Sequence, residues 1–437
     1  MQHYLSRYAE PEVELLASLT GHWQQALIIP AFQEDPAFLE QTLPSDSLLI
    51  LVLNRPPSCL DTRWAQTIMQ ALPAPVWQQA HLALHRRPAN SSVLTVDRCI
   101  QGEPIPAKQG VGLARKIGAD IACQLLVTNK LQSPWLACTD ADAQLPAGYW
   151  NSLDRQTDPA AACVFPFIHQ RTDIADAIRC YELHMLYYVA GLRYADSPYA
   201  WPSIGSCMAF NANAYTQARG YPKKAGGEDF YLLNKLAKIG AVRHLASPQI
   251  ELSARLSDRV PFGTGPALTK IQALAKPGEF CSYHPQSFVY LKVALAGLRQ
   301  SSLADIDIAI EAITARYNLN STWFVELWDE FGCDEAIHQA RNNSRTAAQM
   351  QRHLMTWFDA FRSLKWLHAC RARLPDLPLN ECIKKANWIT LANIEPVASD
   401  QSLAMLQKHL ADNELRGAGI IQTNEAKKPA TINISGQ

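Results

Sequence analysis

Trp135-Leu136-Ala137-Cys138-Thr139-Asp140-Ala141-Asp142-Ala143-Gln144-Leu145-Pro146 is an apolar run that ends abruptly in two carboxylates one residue apart. In an extended strand, residues i and i+2 point to the same side. Where such a strand ends and turns, Asp140 and Asp142 can aim at one point. Two carboxylates so placed are oxygen ligands for Mg²⁺ or Mn²⁺, hard cations that share their shell between a few protein oxygens, water and substrate phosphates. An exposed turn accounts for the same two residues, because Asp is common there for its own backbone hydrogen bonds. Position weighs for the first reading. The pair closes a buried strand inside an alternating strand–helix pattern, which is where open α/β sheets place ligands.

On the N-terminal side, Ala26-Leu27-Ile28-Ile29-Pro30 and Ser47-Leu48-Leu49-Ile50-Leu51-Val52-Leu53 are continuous apolar runs, the mark of strands buried on both faces. Ser92-Val93-Leu94-Thr95-Val96 is a third strand. Val111, Ala114, Ile117, Gly118, Ile121, Ala122, Leu125 and Leu126 recur at helical spacing, with Arg115 and Lys116 on another face. On the C-terminal side, 162–167 and 205–211 read as strands and 180–192 as an aromatic-rich helix. A short helix starts at Asn213 and stops at Gly220; another spans 230–239 and is closed by Gly240, as a left-handed C-terminal cap would close it. A short strand, 242–245, follows. Beyond about residue 280 helical patterns dominate, at 288–298, 305–317, 322–331 and, as one long helix, 347–374. The chain therefore divides into an N-terminal extension (1–22), an α/β domain (23–280), a helical region (281–415) and a loosely ordered tail (416–437).

Composition narrows the function classes. A chain of 437 residues is too long for one average core. Forty basic and forty acidic residues cancel, so no global field draws in nucleic acid or anionic membrane. Eleven cysteines lie without C-x-x-C pairs or zinc-like spacing, which predicts reduced thiols and a cytoplasmic location. The N-terminus lacks the apolar stretch of a signal peptide, and no run approaches the roughly 18 apolar residues of a membrane span. Peripheral membrane contact through an amphipathic face stays open.

Four further stretches carry chemistry, each with a plainer alternative. Pro30-Ala31-Phe32-Gln33-Glu34 leaves a strand into a loop that either holds a base or ribose or is a simple turn. Gly110-Val111-Gly112-Leu113-Ala114-Arg115-Lys116 would set phosphate near a helix N-terminus and two cations, or is a packed helix with solvated basic residues; it matches neither the Walker nor the G-x-G-x-x-G spacing. Gly227-Glu228-Asp229 opens a helix. Capping explains the acids, and so does a carboxylate on a Gly-Gly hinge acting as general base, kept ionised by the helix dipole. Arg255-Leu256-Ser257-Asp258-Arg259, running on to Gly263 and Gly265, suits a diphosphate, with Asp258 as a further metal ligand, or is a linker. His169, His184 and His244 stand singly and read as structural histidines.

Taken in this order, the pieces resemble the nucleotide-sugar glycosyltransferases of the GT-A fold, most closely family 2. The matching residues are Pro30-Ala31-Phe32-Gln33-Glu34, the helix of Gly112, Ala114, Arg115, Lys116 and Gly118, Asp140-Ala141-Asp142 with Leu145-Pro146, Gly205-Ser206, and Gly227-Glu228-Asp229, over about residues 24–265. The resemblance implies a Rossmann-like, mixed, mostly parallel sheet flanked by helices, with a mostly α-helical C-terminal region. It implies a divalent-metal-dependent transfer of one sugar from a nucleoside diphosphate sugar to an acceptor hydroxyl. Asp140 and Asp142 match the metal-binding D-x-D, Asp142 more directly; Asp229 matches the acceptor-activating carboxylate of inverting members, with Glu228 beside it. Pro30, Ala31, Glu34, Gly112, Arg115, Lys116, Asp140, Gly205, Ser206, Arg255 and Arg259 fall in the donor-binding set.

There are departures. Many relatives supply a His as third metal ligand after the G-E-D helix; here Leu252-Ser253-Ala254-Arg255-Leu256-Ser257-Asp258 has none, which leaves Asp258. The Q-x-x-R-W signature of processive synthases is absent. A sugar-phosphate nucleotidyltransferase would need a basic, Gly-rich loop after the first strand, where this chain has the acidic Ala31-Phe32-Gln33-Glu34-Asp35. A non-catalytic nucleotide-sugar-binding protein of the same fold is the other alternative. The helical C-terminal region shapes either the acceptor site or a homo-oligomer interface. Sugar, nucleotide and acceptor are not legible.

Overall fold

The computed structural model describes residues 1–41, 43–156, 160–170, 174–254, 264–274, 276–301, 310–389, 403–407 and 410. Its centre is a nine-stranded sheet built where the continuous apolar runs fall. The runs form β1 (Gln25–Ala31), β2 (Ser47–Asn54), β5 (Ser92–Arg98) and β6 (Trp135–Cys138); a hairpin of β3 (Pro75–Gln79) and β4 (Leu82–Arg86) widens one edge. Strand order is β11-β8-β10-β6-β1-β2-β5-β4-β3, with β8 (Ala162–Val164), β10 (Met208–Asn211) and β11 (Val242–His244) on the other edge. β10 and β4 run against the rest. The mixed and mostly parallel sheet flanked by helices expected from the sequence is the one observed, with a mostly helical C-terminal region.

Alternation along the strands divides the core in two, because successive side chains point to opposite faces. Leu27, Ile29, Leu49, Leu51 and Val93 pack in one layer. Ala26, Ile28, Leu48, Ile50 and Leu94 pack in another, with Leu113, Ile117 and Ile121 of helix α3 (Gly110–Val127). The chain builds β2 and β5 on one side of β1 and then returns to place β6 on the other. The β1/β6 seam is thus a topological switch point, open at the carboxyl ends of both strands. A small second sheet, β7 (Ala143–Gln144), β12 (Ile250–Leu252) and β9 (Phe167–His169), flanks that opening. The stretch read as one strand at 162–167 therefore breaks at Phe165-Pro166 and serves two sheets.

The N-terminal segment packs on the domain rather than extending from it. Tyr4, on α1 (Gln2–Tyr8), donates to Asp120 of α3 at 2.7 Å, and the Glu10 N–H donates to the same carboxylate at 2.9 Å. Between α3 and the helical region lie α2 (Arg63–Gln70), α4 (Tyr149–Asp154), α5 (Ala175–Tyr194), α6 (Ala212–Gln217), α7 (Glu228–Leu236) and α8 (Thr264–Gln272). The helical region follows with α9 (Pro285–Gln300), α10 (Ile310–Arg316), α11 (Ser321–Glu330), α12 (Cys333–Asn342), α13 (Ala347–Trp357) and α14 (Ala360–Cys370), joined to α5 in one core.

The helix expected over 347–374 is two helices. Asp359 interrupts it: its carboxylate accepts from the Phe361 and Arg362 N–H groups at 3.1 Å, an N-cap that starts α14 in a new direction. No helix among the described residues is long and apolar enough to cross a membrane. All eleven cysteines are free thiols, as their spacing predicted.

Candidate functional site

A cavity of about 870 Å³ opens at the carboxyl ends of β1, β2 and β6. Pro30 near the end of β1 and Phe32 and Glu34 beyond it, Asn54 at the end of β2 and Arg55 and Ser58 beyond it, and Asp140 and Asp142 after β6 line it. Gly205, Ser206, Glu228 and Asp229 complete the wall. Stretches separated by up to two hundred residues thus face one space.

Arg115 ties this wall together. From the first turns of α3 it donates Nη2 to Asp140 Oδ1 at 2.6 Å, Nε to Glu228 Oε1 at 3.0 Å, and Nη1 to the Gly205 carbonyl at 3.1 Å and the Cys138 sulfur at 2.8 Å. It is 2% exposed. A Cβ on Gly205 would lie 2.6 Å from Nη2, so only glycine lets the guanidinium reach that carbonyl. The sequence predicts phosphate for Arg115; the structure gives two of its four hydrogen bonds to the Asp140 and Glu228 carboxylates, which it holds at the cavity wall, and two to Gly205 and Cys138.

Lys116, one residue on, faces elsewhere. Its ammonium donates to Asp120 at 2.6 Å and to Tyr4 Oη and the Tyr8 carbonyl, both at 2.8 Å, away from the cavity lining. One residue is about 100° of helix, which turns it to the N-terminal segment. The expected phosphate contact by Lys116 is corrected to a clamp on α1. Ala31 is fully buried in the sheet and does not reach the cavity. Gly112 does not line it either. A Cβ there would sit 2.5 Å from the Pro222 carbonyl and 2.6 Å from that of Lys224, so this glycine serves the close approach of the loop leading to Gly226 and Gly227.

Glu228 and Asp229 open α7. Glu228 is 4% exposed; burial, then the Asp229 charge, push its carboxyl up to about 7, with Arg115 opposing. Asp229 accepts from the Phe230 N–H at 2.7 Å. Burial raises its carboxyl too, the Phe230 N–H and Arg115 oppose, and Asp140 adds to the rise. The helix dipole was expected to keep Asp229 readily ionised; desolvation outweighs it. The result is a carboxylate with greater basicity than an exposed Asp.

Two lining residues had no signal in the sequence. Asn54 is 7% exposed, and its Oδ1 has no hydrogen-bond partner among the described residues. His169, read as structural, lines the cavity at 3% exposure, and its Nδ1 lies 3.1 Å from the buried Glu182 carboxylate, which also accepts from its backbone N–H at 2.6 Å. His184 and His244 do not line it: His184 Nδ1 meets Ser282 at 3.0 Å, and Arg193 lies 2.8 Å from His244 Nδ1. Arg255, Asp258 and Arg259 lie outside the described residues.

The charges on the wall bear on a metal. Among the described residues the cavity is lined by five acids, Glu34, Asp140, Asp142, Glu228 and Asp229, against two basic side chains, Arg55 and Arg115. No cluster of three His, Cys, Asp or Glu side chains able to hold a metal forms among the described residues. Asp140 and Asp142 would supply hard oxygen donors of the kind Mg²⁺ or Mn²⁺ takes, with one Asp140 oxygen already engaged by Arg115 at 2.6 Å.

No protein-family model matches the chain, and no curated protein matches it. Among solved structures it is similar to crystal structures of S. aureus TarS 1-349. The complex with UDP matches at TM-score 0.32 and 7% identity, over 62% of this chain and 65% of that one, so under two thirds of that chain is spanned. The complex with UDP-GlcNAc matches at TM-score 0.36 and 8% identity, and TarS 1-349 itself at 0.33 and 9%, each over 78% of this chain and 91% of the other.

Proposed function

We propose that this chain is a glycosyltransferase that moves a single sugar from a nucleoside diphosphate sugar to an acceptor hydroxyl, with inversion and with Asp229 as the base. The observation that carries the reading is the convergence of the loops after β1 and β2, the Asp140/Asp142 strand end and the Glu228-Asp229 helix start on one cavity at a switch point. The unpartnered Asn54 Oδ1 beside Pro30 and Phe32 is an acceptor for a base or ribose donor group.

In the reaction, Asp229 takes the proton of the acceptor hydroxyl while its oxygen attacks the anomeric carbon. The bond to the diphosphate breaks and its electron pair leaves with the nucleotide. The raised basicity of Asp229 suits it to this proton transfer near neutral pH. Arg115 keeps Asp140 and Glu228 fixed, so the wall does not rearrange as charge develops on the diphosphate. Among the described residues five acids and two arginines line the wall; Mg²⁺ or Mn²⁺ held by Asp142 and Asp140 would offset the repulsion on an entering diphosphate and stabilise the leaving group.

Thermal shifts with uridine, guanosine and adenosine diphosphates, with and without Mn²⁺, test the reading. Ligand at a hundredfold excess over Kd adds about 2.7 kcal/mol of apparent stability. The expected result is a metal-dependent shift with one nucleotide, lost in Asp142→Ala. Absence of any nucleotide response sinks the proposal.

A further inference from the structure

Two unlike groups of side chains line the cavity that holds Asp229. One is aromatic. Phe230 and Tyr231 follow Asp229 on α7, and Phe361 comes from α14; the Phe361 ring centroid lies 5.2 Å from that of Phe230 and 4.8 Å from that of Tyr231. All three rings line the cavity and remain partly exposed to it, with Leu364 one turn beyond Phe361. These rings offer apolar area inside a polar cavity, with the Lys224 ammonium 4.4 Å from the Tyr231 ring centroid.

The other surface is polar and uncharged at its exposed atoms. Tyr181 accepts from the Thr264 hydroxyl at 3.3 Å, and its own O–H makes no further hydrogen bond among the described residues. Tyr181 lines the same cavity as Asp229; burial raises its phenol, the Thr264 hydrogen bond opposes, and the Asp229 charge adds to the rise. His169 has Nδ1 engaged by Glu182, while Nε2 makes no hydrogen bond among the described residues. A carboxylate on one ring nitrogen fixes the tautomer and leaves the other nitrogen with a defined role. The dyad costs the fold a buried carboxylate at 1% exposure, more than packing alone requires.

Acceptor classes fit these surfaces unequally. A small polyol would satisfy the polar side and leave three rings wet. A plain aryl alcohol would cover the rings and leave the Tyr181 O–H and His169 Nε2 without a partner among the described residues. A pyranose has both faces: polarised C–H groups that meet the negative face of an aromatic ring, and a rim of hydroxyls that donate and accept. We infer that the acceptor is a sugar ring, lodged beside Asp229 with its C–H face on Phe361 and its hydroxyls toward Tyr181 and His169. The helical C-terminal region, through α14, then forms part of the acceptor site. This inference rests on the transferase reading above.

Saturation-transfer NMR on the full chain tests it, using methyl glucoside, methyl galactoside and methyl mannoside, with glycerol and benzyl alcohol as controls, each with nucleoside diphosphate and Mn²⁺ present. The expected result is saturation of the ring C–H protons of a glycoside. Phe361→Leu, which keeps apolar volume without a ring face, should weaken it about tenfold. Tyr181→Phe should weaken it with unchanged thermal stability. The nucleotide thermal shift should stay as in wild type in both variants. Nucleotide binding without any glycoside signal overturns this inference alone, as does a glycoside signal unaltered in both variants. A wild-type protein that binds no nucleotide overturns the transferase reading and this inference together.

Discussion

Replacing Glu228 by Gln should stabilise the fold, and only at higher pH. Gln keeps an oxygen for the Arg115 Nε–H, so the 3.0 Å hydrogen bond survives while the buried charge goes. The Glu228 carboxyl rises from 4.5 in the unfolded chain to about 7 in the fold, because burial and Asp229 disfavour its charge more than Arg115 favours it. Below 4.5 both states are protonated, and its contribution to stability is fully present. As pH rises the unfolded chain ionises first, and stability falls until the folded carboxyl has also ionised, above about 7. Against an ordinary value of 4.5, a carboxyl held at about 7 makes ionised Glu228 about 3 kcal/mol costlier in the fold than in the unfolded chain.

Glu228 and Asp229 are adjacent, so the two carboxyls titrate as a pair. At an unfolding entropy of about 2.1 cal/mol/K per residue, about 3 kcal/mol corresponds to about 3 °C for a chain of this length. The assay is the unfolding midpoint of wild type and Glu228→Gln across a pH series from about 4.5 to 8.5. The two should converge at the acid end and separate by that amount at the alkaline end, with Gln higher. A gap independent of pH, or a variant less stable at high pH, would refute a strained buried charge at this position.

Two further outcomes separate chemistry from scaffolding. Asp229→Asn should lower kcat by about 10²–10⁴ while nucleotide affinity stays unchanged, the signature of a lost base; an equal loss of nucleotide binding would assign Asp229 to the donor instead. Lys116→Met leaves Asp120 buried without its cation and should cost about 3–5 kcal/mol in denaturant unfolding, with no effect on nucleotide binding. The reverse pattern would restore the phosphate role that the sequence suggested for it.

What the sequence made legible was what is local and periodic. The apolar runs around Ile28, Ile50, Val93 and Leu136 located four sheet strands, because strands buried on both faces admit little else. Asp140, Asp142, Glu228 and Asp229 stood at strand and helix ends and were found lining one cavity. The edge hairpin escaped because Pro75–Gln79 is a mostly exposed strand with no apolar alternation. Arg115 and Lys116 looked equivalent, since only partners 113 residues away and near the N-terminus tell them apart. The His169–Glu182 pair shows no local motif for the same reason. The break at Asp359 was masked by apolar residues, Leu354, Phe358 and Phe361 among them, that keep helical spacing across it.

That break carries a consequence for how freely this architecture can be recombined. Asp359 does more than cap α14: its other oxygen takes the Asn234 amide at 3.0 Å and the Lys238 ammonium at 2.6 Å, and the Ala360 N–H returns to Asn234 Oδ1 at 3.1 Å. Asn234 lies on the helix that begins with Glu228 and Asp229. The two halves of the molecule, which share a core through α5, are therefore also keyed together at this carboxylate. A chimera that takes the helical half from elsewhere would inherit a different key, and α7 would lose the contact that fixes its far end. Grafts that carry 234, 238 and 359 as a set should keep their register, and grafts that split the set should not.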